Sequence, residues 1–163
     1  MKKLRFWITF FAVAVALTAA MIFLFSAQDG PTSSKTSGWL VNRLIGWFHP
    51  EYDSLPQVGK NRLFSSYQHL VRKGAHFSEF ALLGAFLLLL LNALKRRWKA
   101  PLSWLLGTLY ACTDELHQMA VSSRAAMWQD VLIDSAGVLF GVLVALLILT
   151  LRKRKPPAEE SRL

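Results

Sequence analysis

The sequence predicts an all-α integral membrane protein, a four-helix bundle with both termini cytoplasmic (N-in/C-in) and an extracytoplasmic loop carrying a short interfacial helix. Three observations predict it. Hydrophobic residues make up 53% of the 163 and charged residues only 18%, whereas a soluble domain carries about a quarter charged residues and disperses its apolar ones by period. The apolar residues here come in blocks, two of them long enough to cross a hydrocarbon core of about 30 Å at about 1.5 Å per residue. Lysine and arginine gather beside the ends of those blocks. The chain reads as one membrane domain over residues 1–163.

The first block, residues 6–25, contains no charge. Lys2, Lys3 and Arg5 precede it as they would a secretory signal, but its apolar run exceeds the usual length of about 7–15 residues, and a cut after Ala27 would put bulky Phe25 where a small residue is wanted. It is read as a retained anchor. Residues 29–72 form the extracytoplasmic loop, rich in Ser, Pro and Gly at its start and middle. Within it Trp39, Leu40, Leu44, Trp47 and Phe48 fall loosely on one helical side, a short helix whose tryptophans suit the outer interface. Leu63, Tyr67 and Leu70 carry a helical pattern into the second span, 77–94, which only Glu79 and some small residues interrupt. The third span, 102–120, is cleanly apolar only from Leu102 to Cys112, so it crosses only if its polar last third lies at one interface. The fourth, 131–151, contains one charge, Asp134, and residues 152–163 form a basic cytoplasmic tail.

Orientation follows from basic residues near span ends, which are retained in the cytoplasm. With the N-terminus inside, 12 of the 19 Lys and Arg are cytoplasmic: three before the first span, four at Lys95, Arg96, Arg97 and Lys99, and five in the tail. Eight of the ten acidic residues lie outside or in the outer ends of spans. The formal charge of +9 is therefore a topology signal, and the basic clusters face anionic lipid head groups, not nucleic acid. The single cysteine, Cys112, allows neither an internal disulfide nor a cysteine zinc site and is read as packing. Neither GxGxxG nor GxxxxGK[ST] occurs, so glycine-rich phosphate loops are unsupported.

Ionisable residues inside the spans carry the functional information, since each costs about 2.5–3.5 kcal/mol at a helix centre on insertion scales. Measured from the cytoplasmic ends, Asp114, Glu79, His117, Asp134, His76 and Ser26 all stand roughly 20–30 Å up at about 1.5 Å per residue. Faces agree with depth: His76 and Glu79 differ by about 60°, Asp114 and Gln118 by about 40°, Asp114 and His117 by about 60°, and Asp130 and Asp134 by about 40°. Glu115, about 100° from Asp114, is read as pointing elsewhere, toward a basic residue or the outer interface. Gly137 and Gly141 below Asp134, and Ala111 and Gly107 below Asp114, let helix backbones approach closely and turn the polar faces inward. A buried network that only fixes register is the bland reading of this layer.

At these residues the sequence resembles the VanZ-like family of bacterial membrane proteins, whose named member is associated with low-level teicoplanin resistance. The resemblance runs over Phe25, Ser26, Ala27 and Gln28; Arg72, Lys73, Gly74, Ala75, His76, Phe77, Ser78, Glu79 and Phe80; Asp114, Glu115, Leu116, His117 and Gln118; then Arg124, Asp130, Asp134, Gly137 and Gly141. The RKxAHFxE and DExHQ pieces are its specific part. Where the family often carries Pro-Gly before the arginine, this chain has Ser122 and Ser123. The resemblance implies a multi-pass protein of the bacterial plasma membrane with a role at the cell envelope, in some relatives reduced glycopeptide susceptibility. It implies no particular reaction.

The residues support a polar site at the outer face that binds or acts on a lipid-linked or surface substrate. His76, Glu79, Asp114 and His117 are the candidate catalytic groups, with His76 as acid or base. Lys73, Arg124, Gln118, Asp130, Asp134, Glu115, Ser26 and Gln28 are the candidate substrate-binding groups, the two cations suited to a carboxylate or phosphate. No cofactor is expected; a divalent metal held by His76, His117, Glu79 and Asp114 is an alternative, without any ordered ligand motif. The expected partners are membrane lipids and a lipid-linked cell-wall precursor or a glycopeptide, with no nucleic acid; the sequence sets no oligomeric state. Competing classes are a non-catalytic interaction protein that alters antibiotic access and a proton-linked transporter, the latter weakened because no ionisable group sits in the inner half of any span. Reporter fusions after Asp53 and after Lys155 are expected to lie on opposite sides of the membrane; a shared side overturns the orientation.

Overall fold

The computed structural model describes residues 1–27, 30–119 and 128–154. These form five α-helices, α1 (Lys2–Ser26), α2 (Gly30–Phe48), α3 (Gln57–Ala93), α4 (Lys99–Met119) and α5 (Trp128–Arg154), with a 3-10 turn at Pro50–Ser54. Lys2–Ser26, Gln57–Ala93 and Trp128–Lys153 are long and apolar enough to cross a membrane. α4 has the length, 21 residues or about 31 Å, but not the average composition.

Residues 30–72, expected as a loop with a short interfacial helix and a helical pattern from Leu63 into the second span, are mostly helical, and the second helical stretch does run into that span. α2 already starts at Gly30, and α3 begins at Gln57, running without a break through 37 residues into the expected second span. α2 packs on α3 with Val41 and Ile45 fully buried, while Trp39 and Trp47 stay exposed. Trp39, Arg43 and Trp47 share the opposite side at four-residue spacing, and the Arg43 guanidinium lies 5.5 Å from the Trp47 ring centroid. The expected single side of Trp39, Leu40, Leu44, Trp47 and Phe48 is thus divided. Val41 and Ile45 win the inward face because α3 offers apolar surface there. Gln68 Nε2 donates to Ser37 Oγ at 2.6 Å, and the His49 ring bridges Glu51 at 3.1 Å and Tyr67 at 3.1 Å, tying the 3-10 turn to α3. The Glu51 backbone amide, together with that ring, holds the exposed Glu51 carboxyl below its ordinary range.

α3 and α4 are joined by a tight reversal. The Arg96 amide donates to the Leu91 carbonyl at 2.9 Å and the Lys95 amide to that of Asn92 at 3.0 Å, a Schellman closure that needs a left-handed residue. Lys95 fills it with φ 56°, where glycine is the usual occupant, and so keeps a positive charge at this end. Lys99 Nζ donates to Asn92 Oδ1 at 2.5 Å across the turn. Pro101 sits in the first turn of α4, where an amide donor is dispensable.

The centre of the fold is a backbone-to-backbone contact between α3 and α5. A Cβ built on Gly141 would run into the Ala81 carbonyl oxygen, and one on Gly84 into that of Val138. One on Gly137 would come within 2.5 Å of the Phe77 carbonyl oxygen. The pairings 77 with 137 and 81 with 141 advance together, so the two helices run in the same direction. Gly107 of α4 admits the Val138 side chain, whose Cγ1 would lie 2.5 Å from an added Cβ. Around these glycines Ile22, Phe80, Leu88 and Ala111 are completely buried. Because the obstacle at Gly141 is backbone, Gly141→Ala is expected to destabilise by about 1–3 kcal/mol, whereas Gly46→Ala, with nothing within 4 Å, is neutral or mildly stabilising. Thermal melting of the detergent-solubilised variants checks this; equal melting of both overturns the packing account.

Candidate functional site

The direct approach of α3 to α5 places His76, one residue before Phe77, beside Asp134, three before Gly137. α4 closes the third side. A ring nitrogen of His76 and one carboxylate oxygen each from Asp114 and Asp134 all lie within 4.8 Å of one another. The two aspartates are each only 3% exposed. His76 therefore meets the third helix as its depth in the sequence predicted, at a distance one water can bridge.

Asp114 is the hub. Its Oδ2 accepts from Ser26 Oγ of α1 at 2.6 Å and from Gln118 Nε2, one turn along α4, at 3.0 Å. The same Gln118 nitrogen reaches Ser26 Oγ at 3.1 Å. Ser26, fully buried, closes a small triangle that fixes the carboxylate plane. Asp114 Oδ1 is buried and accepts no hydrogen bond among the described residues, so the side chain has one satisfied edge and one available edge.

Glu79, one turn below His76 on α3, approaches the ring at 4.0 Å, beyond hydrogen-bond length. Both side chains are largely buried. Lys73 Nζ pairs with Asp130 Oδ1 at 2.7 Å, both about a quarter exposed, at the outer rim of the cluster. Glu115, read from its helix angle as pointing away, is instead 6% exposed and lies with Asp114, Asp130 and Glu79 inside the electrostatic reach of Asp134.

His117 departs from the expected group. Its ring stacks on Phe23 of α1 with centroids 4.2 Å apart and planes at 23°, and its nitrogens are not among the converging ligand atoms. The aromatic face of Phe23 holds the ring against α1, a neighbour that α4's own periodicity does not reveal. Asp134 takes the place expected for His117. Arg124 and Gln28 lie outside the described residues. Cys112, expected to pack, is exposed on the outer surface of α4.

Two residues were missed from the sequence. Tyr110 donates to the Ala19 carbonyl at 2.7 Å, joining α4 to α1; its position one turn below Asp114 on the same face was a usable signal. Ser135, buried next to Asp134, is shared by Trp104 Nε1 at 3.1 Å and Thr108 Oγ1 at 2.8 Å. It gave no signal beyond its neighbour.

Among known proteins, the family model described as VanZ/LLP1 matches residues 10–149. That interval takes in every described member of the cluster. No curated protein and no solved structure matches the chain.

The Ser26 to Asp114 contact joins α1 to α4 by a charge-assisted hydrogen bond in a buried site. A double-mutant cycle of Ser26→Ala and Asp114→Asn is expected to give a coupling of about 1.5–3 kcal/mol, the range for hydrogen bonds to charged groups. Additive effects on thermal stability within about 0.5 kcal/mol would remove this contact from the account of how α1 is held.

Proposed function

The chain belongs to the VanZ-like family, and from that premise we propose that it is a four-span protein of the bacterial plasma membrane whose outer-face site binds an anionic lipid-linked or surface substrate and lowers susceptibility to glycopeptides of the teicoplanin type. The observation that carries the reading is the convergence of His76, Asp114 and Asp134 from three helices in a buried polar group. Such groups are costly in a membrane protein, and they mark binding or catalytic sites more often than scaffolding.

Helix directions support four crossings. Ala19, Phe23 and Ser26 of α1 meet Tyr110, His117 and Gln118 of α4 in ascending order, so α1 and α4 run the same way. α3 and α5 also run alike, and the pairs Gly107–Val138 and Asp114–Asp134 set α4 opposite to α5. Two parallel crossings in sequence require a return between them. α4 supplies it, and the basic clusters at Lys2 to Arg5, Lys95 to Lys99 and the tail then share the cytoplasmic side, leaving the cluster near the outer face.

In this arrangement His76 is the proton-transfer group and Asp114 and Asp134 set its field. Lys73 uses one of its three donors on Asp130 and has others to offer an anion. Glu79 flanks the ring from below. A purely adhesive site would also use the cations but not the imidazole.

Single replacements separate these roles. His76→Ala is expected to keep its membrane level, since glycine packing and apolar spans hold the fold, while teicoplanin protection is lost; a lost general acid or base costs about 10²–10⁴-fold in turnover. Lys73→Ala is expected to weaken protection less. Abundance falling in parallel with protection for His76→Ala would identify a structural staple, and full protection in both variants would reject the site.

A further inference from the structure

We propose that His76, Asp114 and Asp134 are the ligands of a divalent first-row metal ion held between α3, α4 and α5. This deepens the site reading above, replacing the proton-transfer role of His76 with that of a ligand, and rests on that reading only for the substrate, because ion binding is a property of the three side chains themselves.

The donor set is one ring nitrogen and two carboxylate oxygens drawn from three helices and already within 4.8 Å of one another. Zinc bonds of about 2.0–2.2 Å in tetrahedral geometry set donors about 3.4 Å apart, about 1.4 Å closer than the 4.8 Å limit within which these atoms lie. A mixed imidazole and carboxylate set suits Zn²⁺ or a neighbouring first-row ion, and the ring nitrogen disfavours Mg²⁺ and Ca²⁺.

A second observation points the same way. Asp114 is 3% exposed, its Oδ2 is oriented by Ser26 and Gln118, and its buried Oδ1 accepts nothing from the described residues. One oxygen held by neighbours and the other left available is how ligating carboxylates are supported. Charge agrees as well. Glu79, Asp114 and Asp134 crowd this spot, and the described cation beside them, Lys73, pairs with Asp130. Buried carboxylates are tolerated when paired or when they coordinate a metal. Glu79, whose Oε2 is likewise buried and accepts nothing from the described residues, is the candidate fourth ligand. With His76, Asp114 and Asp134 alone as protein ligands one tetrahedral position stays open, and the substrate it fits is an anionic oxygen, a phosphate or carboxylate of a lipid-linked or surface molecule. Ser26 and Gln118 are positioning residues that act through Asp114.

The test uses the full chain, purified in detergent without an affinity tag that binds metal, stripped by chelation and equilibrated with Zn²⁺ or, for its visible spectrum, Co²⁺. The expected result is one ion per chain, a rise in melting temperature with Zn²⁺, and Co²⁺ absorption typical of nitrogen and oxygen donors. His76→Ala and Asp134→Asn are expected to abolish all three, Ser26→Ala to weaken binding about tenfold, and His69→Ala, which removes an exposed histidine, to change nothing. If a ligand variant fails to fold, the wild-type stoichiometry and melting shift still decide. A wild-type chain that takes up no ion, or ligand variants that bind as the wild type does, overturns the proposal. Loss of teicoplanin protection in His76→Ala alongside no ion in the wild type overturns the metal and leaves the binding-site reading in place. One bound ion alongside full protection in that variant supports the metal and removes the assigned role.

Discussion

The contact on which the rest depends is the one with no side chain in it. Gly84, Gly137 and Gly141 bring the backbones of α3 and α5 together against the carbonyls of Val138, Phe77 and Ala81. In lipid there is little hydrophobic drive between helices, so association comes from close packing and polar contacts. Two adjacent glycine steps on α5 meet two adjacent turns of α3, which fixes both distance and register. Once 77 faces 137 and 81 faces 141, His76 and Asp134 have little freedom to be anywhere but beside each other. Gly107 then lets α4 close over Val138, and Asp114 arrives at the same level. The chemistry-bearing residues are thus placed by the packing below them.

That placement carries an energetic cost. Several carboxylates with little bulk water require compensation, and the described neighbours supply it unevenly. Asp114 has two donors on one oxygen and Asp130 has Lys73, while Asp114 Oδ1 and Glu79 Oε2 accept no hydrogen bond from the described residues. A network built only for register would favour complete satisfaction, since a half-satisfied buried network is worse than an apolar core. The incomplete compensation argues for a site that meets its counter-charge in a ligand.

Much of this was legible in the sequence. The GxxxG step at Gly137, the i,i+3 pair of His76 and Glu79, the small-residue ladder of Gly107 and Ala111 and the common depth of the polar groups led to the helices that meet and the faces they present. What was not legible depended on partners in other helices. His117 shares a face with Asp114 within α4, yet Phe23 captures its ring. Glu115 is about 100° from Asp114 and is buried all the same, because α4 is enclosed over a wider arc than one stripe. The helical run from Leu63 into the second span was legible; the rest of the stretch read mostly as loop because its glycines, prolines and serines are turn formers, and α3 starts earlier, at Gln57, because helix, once nucleated, adds each further residue cheaply.

α4 shows why average hydropathy undervalues one helix of a bundle. Its outward line, Leu105, Leu109, Cys112, Leu116 and Met119, is exposed and carries no charge along the whole length of the helix. The opposite line, Ser103, Gly107, Ala111 and Asp114, is buried, and Gln118 continues it. The polar residues of the inner line face protein, so the exposed side of α4 keeps an uninterrupted apolar stripe. A window average mixes the two lines and reports a helix too polar to cross. Read by face, α4 divides into an exposed apolar stripe and a buried polar side, and that polar side is what meets the other helices at the cluster.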